Sequence, residues 1–138
     1  MYEQLKLSNQ ICFPLYALSK EITRQYTPFL DALDLTYPQY LVMLVLWEHG
    51  EQSVNQIGAK LHLDSGTLTP LLKRLQSKDL IERTRSQMDE RTVIIKLTHQ
   101  GHALEHQAVD IPAQMSNCLN LTPDEVAVLQ KIVSQLNH

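Results

Sequence analysis

Cys12 lies two residues before Pro14, where the surrounding pattern expects a helix to begin. A helix N-terminus presents unpaired N–H groups and the positive end of the helix dipole, and both favour a thiolate over a thiol whose reference pKa is about 8.5. The thiolate is the form that attacks a peroxide oxygen. Tyr16 stands one turn further on, whereas Tyr26 and Tyr37 can approach the same sulfur only through the tertiary fold. A phenol donating its O–H to sulfur would favour the anion further. Cysteine on an apolar helix face also commonly does nothing but pack. Spacing alone leaves both readings open.

The second cysteine, Cys118, is 106 residues away. That separation is neither a disulfide scaffold nor a C-x-x-C metal or redox motif, and in a reducing compartment both sulfurs would rest as thiols. His99, His102 and His106 share one helical face at spacings that can bind zinc. No cysteine or acid stands in register with them, so exposed histidines are the simpler account. Neither a metal nor a cofactor is expected.

A different chemistry sits in the middle of the chain. Ser65, Thr67 and Thr69 open an expected helix with small hydrogen-bonding side chains, and Lys73, Arg74 and Lys78 follow. The N-terminal residues of a reader helix contact base edges, and lysines and arginines beside it contact phosphate. Arg83, Arg85 and Arg91 lie on or near a charged hairpin, where an arginine can enter a narrow minor groove. The plainer account is a capped helix with solvated charges; the two features flanking each other favour DNA. The formal net charge is −3, but residues 64–98 carry +2 and the remainder −5. Any nucleic-acid contact must therefore come from local charge.

The elements that must hold these groups follow from periodicity. Ile11, Leu15, Leu18 and Ile22 recur at helical spacing, giving a helix over about 10–27 that starts just before Pro14 or bends at it. Thr36–His49 reads as a second helix stopped by Gly50, with Leu41, Leu44, Val45 and Trp47 as core candidates. Ser53 and Gln56 form a capping-box pattern for a short helix to Leu61. Asp64 or Ser65 caps the next, which runs to about Asp79 with Leu68, Leu71, Leu72 and Leu75 on its apolar face. Leu80–Arg85 and Thr92–Leu97 then read as a β-hairpin with the polar tip 86–90. Thr98 opens a helix through about Met115, disturbed at Pro112, and Thr122-Pro123-Asp124-Glu125 opens a last one to near Leu136.

This order is mainly α with a small β-hairpin: a winged helix-turn-helix in a single domain spanning 1–138. The DNA-binding core is expected over about 53–98. The outer helices, about 10–27 and 98–138, lack an obvious partner within one chain and are expected to build a twofold dimer. The length of 138 residues and the 43% hydrophobic share suit one domain. No apolar run reaches the ~18 residues of a membrane helix, and the start does not read as a secretory signal, so a cytoplasmic protein is expected.

The runs NQICFPLYALSKEITRQY, LTYPQYLVMLVLWE and LDSGTLTPLLKRLQSKDLIERTRSQMDERTVIIKLT resemble the organic hydroperoxide repressors of the MarR family. The likeness covers most of residues 5 to 112, including VDIP near its end. By that resemblance Cys12 corresponds to the peroxidatic cysteine, Tyr26 and Tyr37 to the tyrosines that hydrogen-bond its sulfur, and Tyr16 to a nearby pocket tyrosine. Asp89 and Arg91 match an Asp-x-Arg pattern in the wing, with Arg91 the minor-groove candidate. Pro14 departs from the pattern, where relatives carry an ordinary apolar residue.

The resemblance implies a homodimeric repressor that binds an inverted repeat in double-stranded DNA when reduced and releases it when an organic hydroperoxide oxidises Cys12. It also implies two ways of finishing that oxidation. A small external thiol caps the sensor, or a second cysteine near the C-terminal helices, here Cys118, bridges to the sensor of the partner subunit. Two rivals stand beside it: a MarR-type regulator answering a small apolar or phenolic ligand, or a metal, with spectator cysteines; and a thiol peroxidase. The second would need turnover, and a helix-turn-helix filling the middle of the chain argues against it.

Overall fold

The first residues make only two short 3-10 turns, Glu3–Leu5 and Leu7–Asn9, before a 19-residue helix, α1 (Phe13–Asp31), begins. The computed structural model describes residues 1–136; the last two residues of the expected 98–138 segment lie outside the described part. Cys12 is the N-cap of α1 and Pro14 falls in its opening turn, where the missing N–H costs nothing. The helix runs four residues beyond the expected end at Thr27 and carries Pro28 inside it. The ring removes one backbone donor there, but the following Leu30 is buried, and packing holds the extra turn.

Helix α2 (Tyr37–His49) is opened by a full capping box: Thr36 accepts from the Gln39 amide, and the Gln39 side chain accepts from the Thr36 amide. Gly50, at φ 72, stops it. Its core face is Tyr40, Val42, Met43, Val45 and Leu46, and of the four residues expected only Val45 belongs to it. Leu41 and Trp47 are half-buried and Leu44 is exposed. An apolar helix with little polar contrast around its axis gives sequence reasoning no face to choose.

A two-residue strand, β1 (Gln52–Ser53), precedes α3 (Val54–Leu61), whose Ser53–Gln56 capping box forms as expected. His62 ends α3 in the left-handed conformation. Asp64 caps α4 (Ser65–Ser77), and Leu68, Leu72 and Leu75 bury its inner face. Strands β2 (Ile81–Arg85) and β3 (Val93–Leu97) form the expected hairpin, and β1 adds on the far side to give an antiparallel sheet in the order β1-β3-β2. Strand β1 was not expected: two residues carry no periodicity.

The expected long helix after Thr98 is two helices, α5 (His99–Ala108) and α6 (Ile111–Cys118), with Pro112 in the first turn of the second. Cys118 is therefore the last residue of α6. The chain closes with α7 (Pro123–Ser134) behind a Thr122–Glu125 capping box.

One core joins these elements, from Leu30, Leu33 and Leu35 through α2, Ile57, the α4 leucines, Ile81 and Ile95 to Ile111 and Met115. Helix α5 is locked onto it by close approach. A Cβ on Gly101 would stand 2.1 Å from the Leu80 carbonyl oxygen, so only glycine fits. The Gly101 carbonyl in turn accepts the indole N–H of Trp47 at 2.9 Å. Among the described residues no helix is long and apolar enough to cross a membrane.

Candidate functional site

The thiol end of α1 is open. Cys12 and Cys118 are both exposed free thiols. Cys12 closes the first helical turn through its carbonyl, which accepts the Tyr16 amide at 3.2 Å. The Tyr16 ring is exposed too, with the Lys20 ammonium 5.3 Å from its centroid. Phe13, Tyr16, Ala17, Lys20, Glu21 and Arg24 line a shallow groove along this stretch of α1.

Tyr26 and Tyr37 come together elsewhere. Their ring centroids are 4.7 Å apart, and a third ring, Tyr40, stands 5.7 Å from Tyr26 and 6.4 Å from Tyr37. Burial raises all three phenol pKa values, that of Tyr26 to about 12 with the neighbouring phenols Tyr37 and Tyr40 adding to the effect. These phenols stay protonated at any working pH and so remain O–H donors toward an anion. Tyr40 was missed in the sequence because it reads as an ordinary core aromatic. Its place three residues after Tyr37, on the same helical face, was the available signal.

Cys12 and the tyrosine cluster do not meet within one chain. Fourteen residues of α1 separate Cys12 from Tyr26, about 21 Å of axial rise at 1.5 Å per residue.

The reader is built on α4. The Asp64 carboxylate accepts the Thr67 amide at 2.7 Å, and that bond, with the Gly66 amide adding, holds its pKa below the ordinary 3.8. Ser65 and Thr67 are exposed at the helix mouth. Thr69 is half-buried and its hydroxyl donates to the Ser65 carbonyl at 2.8 Å, leaving it an acceptor only. Lys73 and Arg74 point to solvent.

Lys78, read in the sequence beside them, is engaged inside the protein. Its ammonium donates to the Asp34 carbonyl oxygen and, at 3.1 Å, to Gln39 Oε1, and it stands 3.8 Å from the Asp34 carboxylate.

The wing arginines also differ from one another. Cross-strand pairing sets Arg83 opposite Ile95 and Arg85 opposite Val93. Paired residues share a face, and Ile95 is fully buried, so Arg83 starts from the inner face. Its Nε is buried without a hydrogen-bond partner among the described residues. Arg85 bridges the hairpin, donating to the Glu90 carbonyl at 2.9 Å. Arg91 is exposed at the tip, which Asp89 shapes by accepting the Arg91 amide at 3.0 Å and the Thr92 hydroxyl at 3.4 Å. The outer face is closed by a Lys96–Glu82 pair at 3.5 Å.

His99, His102 and His106 are exposed on α5, and among the described residues no cluster of three or more His, Cys, Asp or Glu side chains is placed to hold a metal.

With this geometry in place, comparison with known proteins is informative. Residues 24–107 match the family model described as transcriptional regulator SarA/Rot. The chain is 56% identical over 111 residues to the organic hydroperoxide resistance transcriptional regulator of Bacillus subtilis, covering 80% of this chain and 76% of that protein. It is similar in structure to AbfR of Staphylococcus epidermidis. Reduced AbfR bound to DNA overlays with a TM-score of 0.81 at 38% identity, and overoxidized AbfR bound to DNA with 0.80 at 40%. The disulfide-formed protein overlays with 0.70 at 39%. Each overlay covers 96% of this chain and 93% of the other.

Proposed function

The chain belongs to the MarR family of winged-helix transcriptional regulators, in its organic hydroperoxide resistance branch, and from that premise we propose that it is a cytoplasmic, homodimeric repressor whose Cys12 senses organic hydroperoxides and whose oxidation releases an inverted-repeat operator. The observation that carries this reading is the separation of an exposed Cys12 from a cluster of protonated phenols that one chain cannot bring to it. Two antiparallel copies of α1 solve that separation: the cysteine end of one helix lies beside the tyrosine end of the other, so each sensor is completed by its partner.

The exposed apolar groups support the same assembly. Helix α7 buries no residue, and Val126, Val128, Ile132 and Val133 on it are exposed. On α1, Phe13 and Leu15 are exposed as well. A chain of this size leaves such stripes bare only where another surface covers them. The dimer-forming parts are accordingly α1 and α5–α7, and the DNA-binding part is 53–98.

In the proposed reaction the Cys12 thiolate attacks the distal oxygen of the hydroperoxide. An S–O bond forms, the O–O bond breaks, and the alkoxide leaves and takes a proton to become an alcohol. Sulfur is oxidised by two electrons and the peroxide reduced by two. The Tyr26 and Tyr37 hydroxyls of the partner would hold the thiolate before attack. The Cys118 thiolate of the partner then attacks the sulfenic sulfur, and hydroxide leaves as water. A disulfide needs Cα atoms within about 7 Å, so bond formation moves the helices. DNA is released only because reduced and oxidised states bind it differently. AbfR was solved on DNA in both its reduced and its overoxidized form, so oxidation of a sensor without a bridge is compatible with DNA binding in that protein, and the bridge is the step to which we assign release here.

On DNA, Ser65, Thr67 and Thr69 would face bases, Lys73 and Arg74 phosphates, and Arg91 the minor groove. Arg83 and Arg85 would mainly brace the wing.

The test uses an inverted-repeat duplex selected from a random pool on the reduced dimer. Cys12→Ser keeps its affinity for that duplex and no longer releases it under cumene hydroperoxide. Release by the Cys12→Ser variant would overturn the sensor assignment. Loss of the covalent dimer in Cys118→Ser, on non-reducing gels, would confirm the bridge.

A second reading draws on one observation. Tyr40, Leu44, Trp47, Ala108, Val109 and Pro112 line an open groove of about 440 Å³ whose rim also holds Glu48 and Glu105. A small apolar or phenolic effector would fit there, with both cysteines idle. Release by such a compound from a cysteine-free variant would favour it.

A further inference from the structure

The sequence offers Lys78 as a phosphate contact, and its position at the C-cap of α4 fits that role only until its partners are considered. The ammonium turns away from the reader face to the turn between α1 and α2. There it meets the carbonyl of Asp34, a residue in the left-handed conformation at φ 53, and the side chain of Gln39. Gln39 is 3% exposed and the one polar side chain buried in the core among the described residues. Its Oε1 accepts from two directions at once, the Thr36 amide at 3.1 Å and the Lys78 ammonium at 3.1 Å. The first bond belongs to the capping box that sets the start of α2. Tyr37 is the first residue of that helix. One oxygen thus joins the base of the tyrosine cluster to the end of the reader helix.

We propose that Lys78 is a positioning residue, the tether through which the state of the Tyr26–Tyr37 cluster reaches α4 and so sets the spacing of the reader helices. This rests on the redox-switch reading above and deepens it by naming the connection. The chemistry suits the task. A charge-assisted bond to a nearly buried amide is short-ranged and strong, so a shift of the α2 N-terminus is passed to α4 rather than absorbed. The long lysine stem spans the gap between the elements, and its side chain is only 28% exposed. Coupling between two sites requires a physical element that both of them bias, and the Thr36–Gln39–Lys78 bonds form one.

The experiment measures affinity for the selected duplex, by fluorescence anisotropy, for the reduced dimer and for the dimer fully oxidised by cumene hydroperoxide. Wild type, Lys78→Met, Lys78→Arg and Gln39→Met are compared across a range of salt. A tether predicts that the reduced-to-oxidised affinity ratio falls by about tenfold in Lys78→Met and in Gln39→Met, and that Lys78→Arg restores most of it. It also predicts an unchanged salt slope in Lys78→Met. A lysine bound to phosphate predicts the reverse: the ratio is kept, Gln39→Met is silent, and the slope of log K against log salt falls by about 0.9 for each phosphate no longer neutralised, twice per dimer. That result overturns the proposal.

Hydrogen exchange on unmodified protein gives a reading that no folding defect can obscure. Amides at 36, 37, 39 and 40 and at 74–79 should change together on oxidation, and a change at the first group with the second unmoved overturns the tether. A wild-type ratio of one would fail the redox reading itself and take the tether with it. A normal wild-type ratio kept intact in both methionine variants fails the tether alone.

Discussion

The middle of this chain is finished and its ends are not. Between Gln52 and Gly101 nearly every local device closes on itself: capping box, side-chain cap, three-stranded sheet, a wing tip shaped by Asp89, and a glycine pressed against a backbone carbonyl. At the two ends α7 is just as well capped, yet it buries nothing, and the first turns of α1, which no side chain caps, carry bare apolar and aromatic side chains. Capping makes a helix; only a partner surface gives it a reason to stay where it is. The contrast sets a reading unit complete in one copy against end helices that, on the function proposed above, complete a sensing unit only in two.

The sharpest way to break this contrast is to deny the ends their partner. Leu15→Glu with Ile132→Glu places charges on positions 51% and 47% exposed in a single chain, so the fold should survive. The dimer should not. Sedimentation should give a monomer, and affinity for the inverted repeat should drop by about 100-fold or more because a monomer grips one half-site only. A stable dimer in this variant would mean that the apolar stripes are not the interface.

Next comes a strike at the finished part. Gly101→Ala must displace either the Leu80 backbone or α5, because the new Cβ has no space. The cost should be about 3 kcal/mol or more, read from urea unfolding of the reduced protein. A cost within about 0.5 kcal/mol would show that the close approach relaxes cheaply.

The smallest effect is acid sensitivity. Asp64 has a folded pKa below its ordinary 3.8, so the stability it contributes is present above that value and is lost as pH falls through the lowered one. Thermal melting should therefore show an acid limb below about pH 4, shallower in Asp64→Asn, which keeps a capping oxygen that does not titrate. An identical limb in both would assign it to other carboxylates, Glu21 and Glu125 being the candidates, since their pKa values are lowered too.

Much of the fold was legible because its signals are local. Ser53 with Gln56, Asp64 before an apolar run, and alternation around a polar tip each name an element without reference to the rest. What was not legible depends on tertiary packing. The rule that reads Ser53–Gln56 as a capping box reads Thr36–Gln39 equally well, but nothing in one dimension says that Gln39 would be buried against Lys78. Leu44 and Val42 are alike in type, and only the fold leaves one exposed and buries the other. The break between α5 and α6 was anticipated only as a disturbance at Pro112, since a proline opens a helix as readily as it bends one. For the site, the sequence named the sulfur, Tyr16 beside it, and two phenols of the buried cluster, Tyr26 and Tyr37. The third phenol, the distance along α1 and the inward turn of Lys78 belong to three dimensions.

The bond between Trp47 and Gly101 has a practical corollary. Trp47 is the sole tryptophan in the chain. Its indole is pinned to α5 at one end and meets Tyr40 edge-on, with centroids 6.5 Å apart. The molecule thus carries an intrinsic fluorophore at the seam between its phenol cluster and its reading unit. Emission recorded after rapid mixing with an alkyl peroxide would time the rearrangement directly, without label or duplex, and separate the speed of the chemistry from that of letting go.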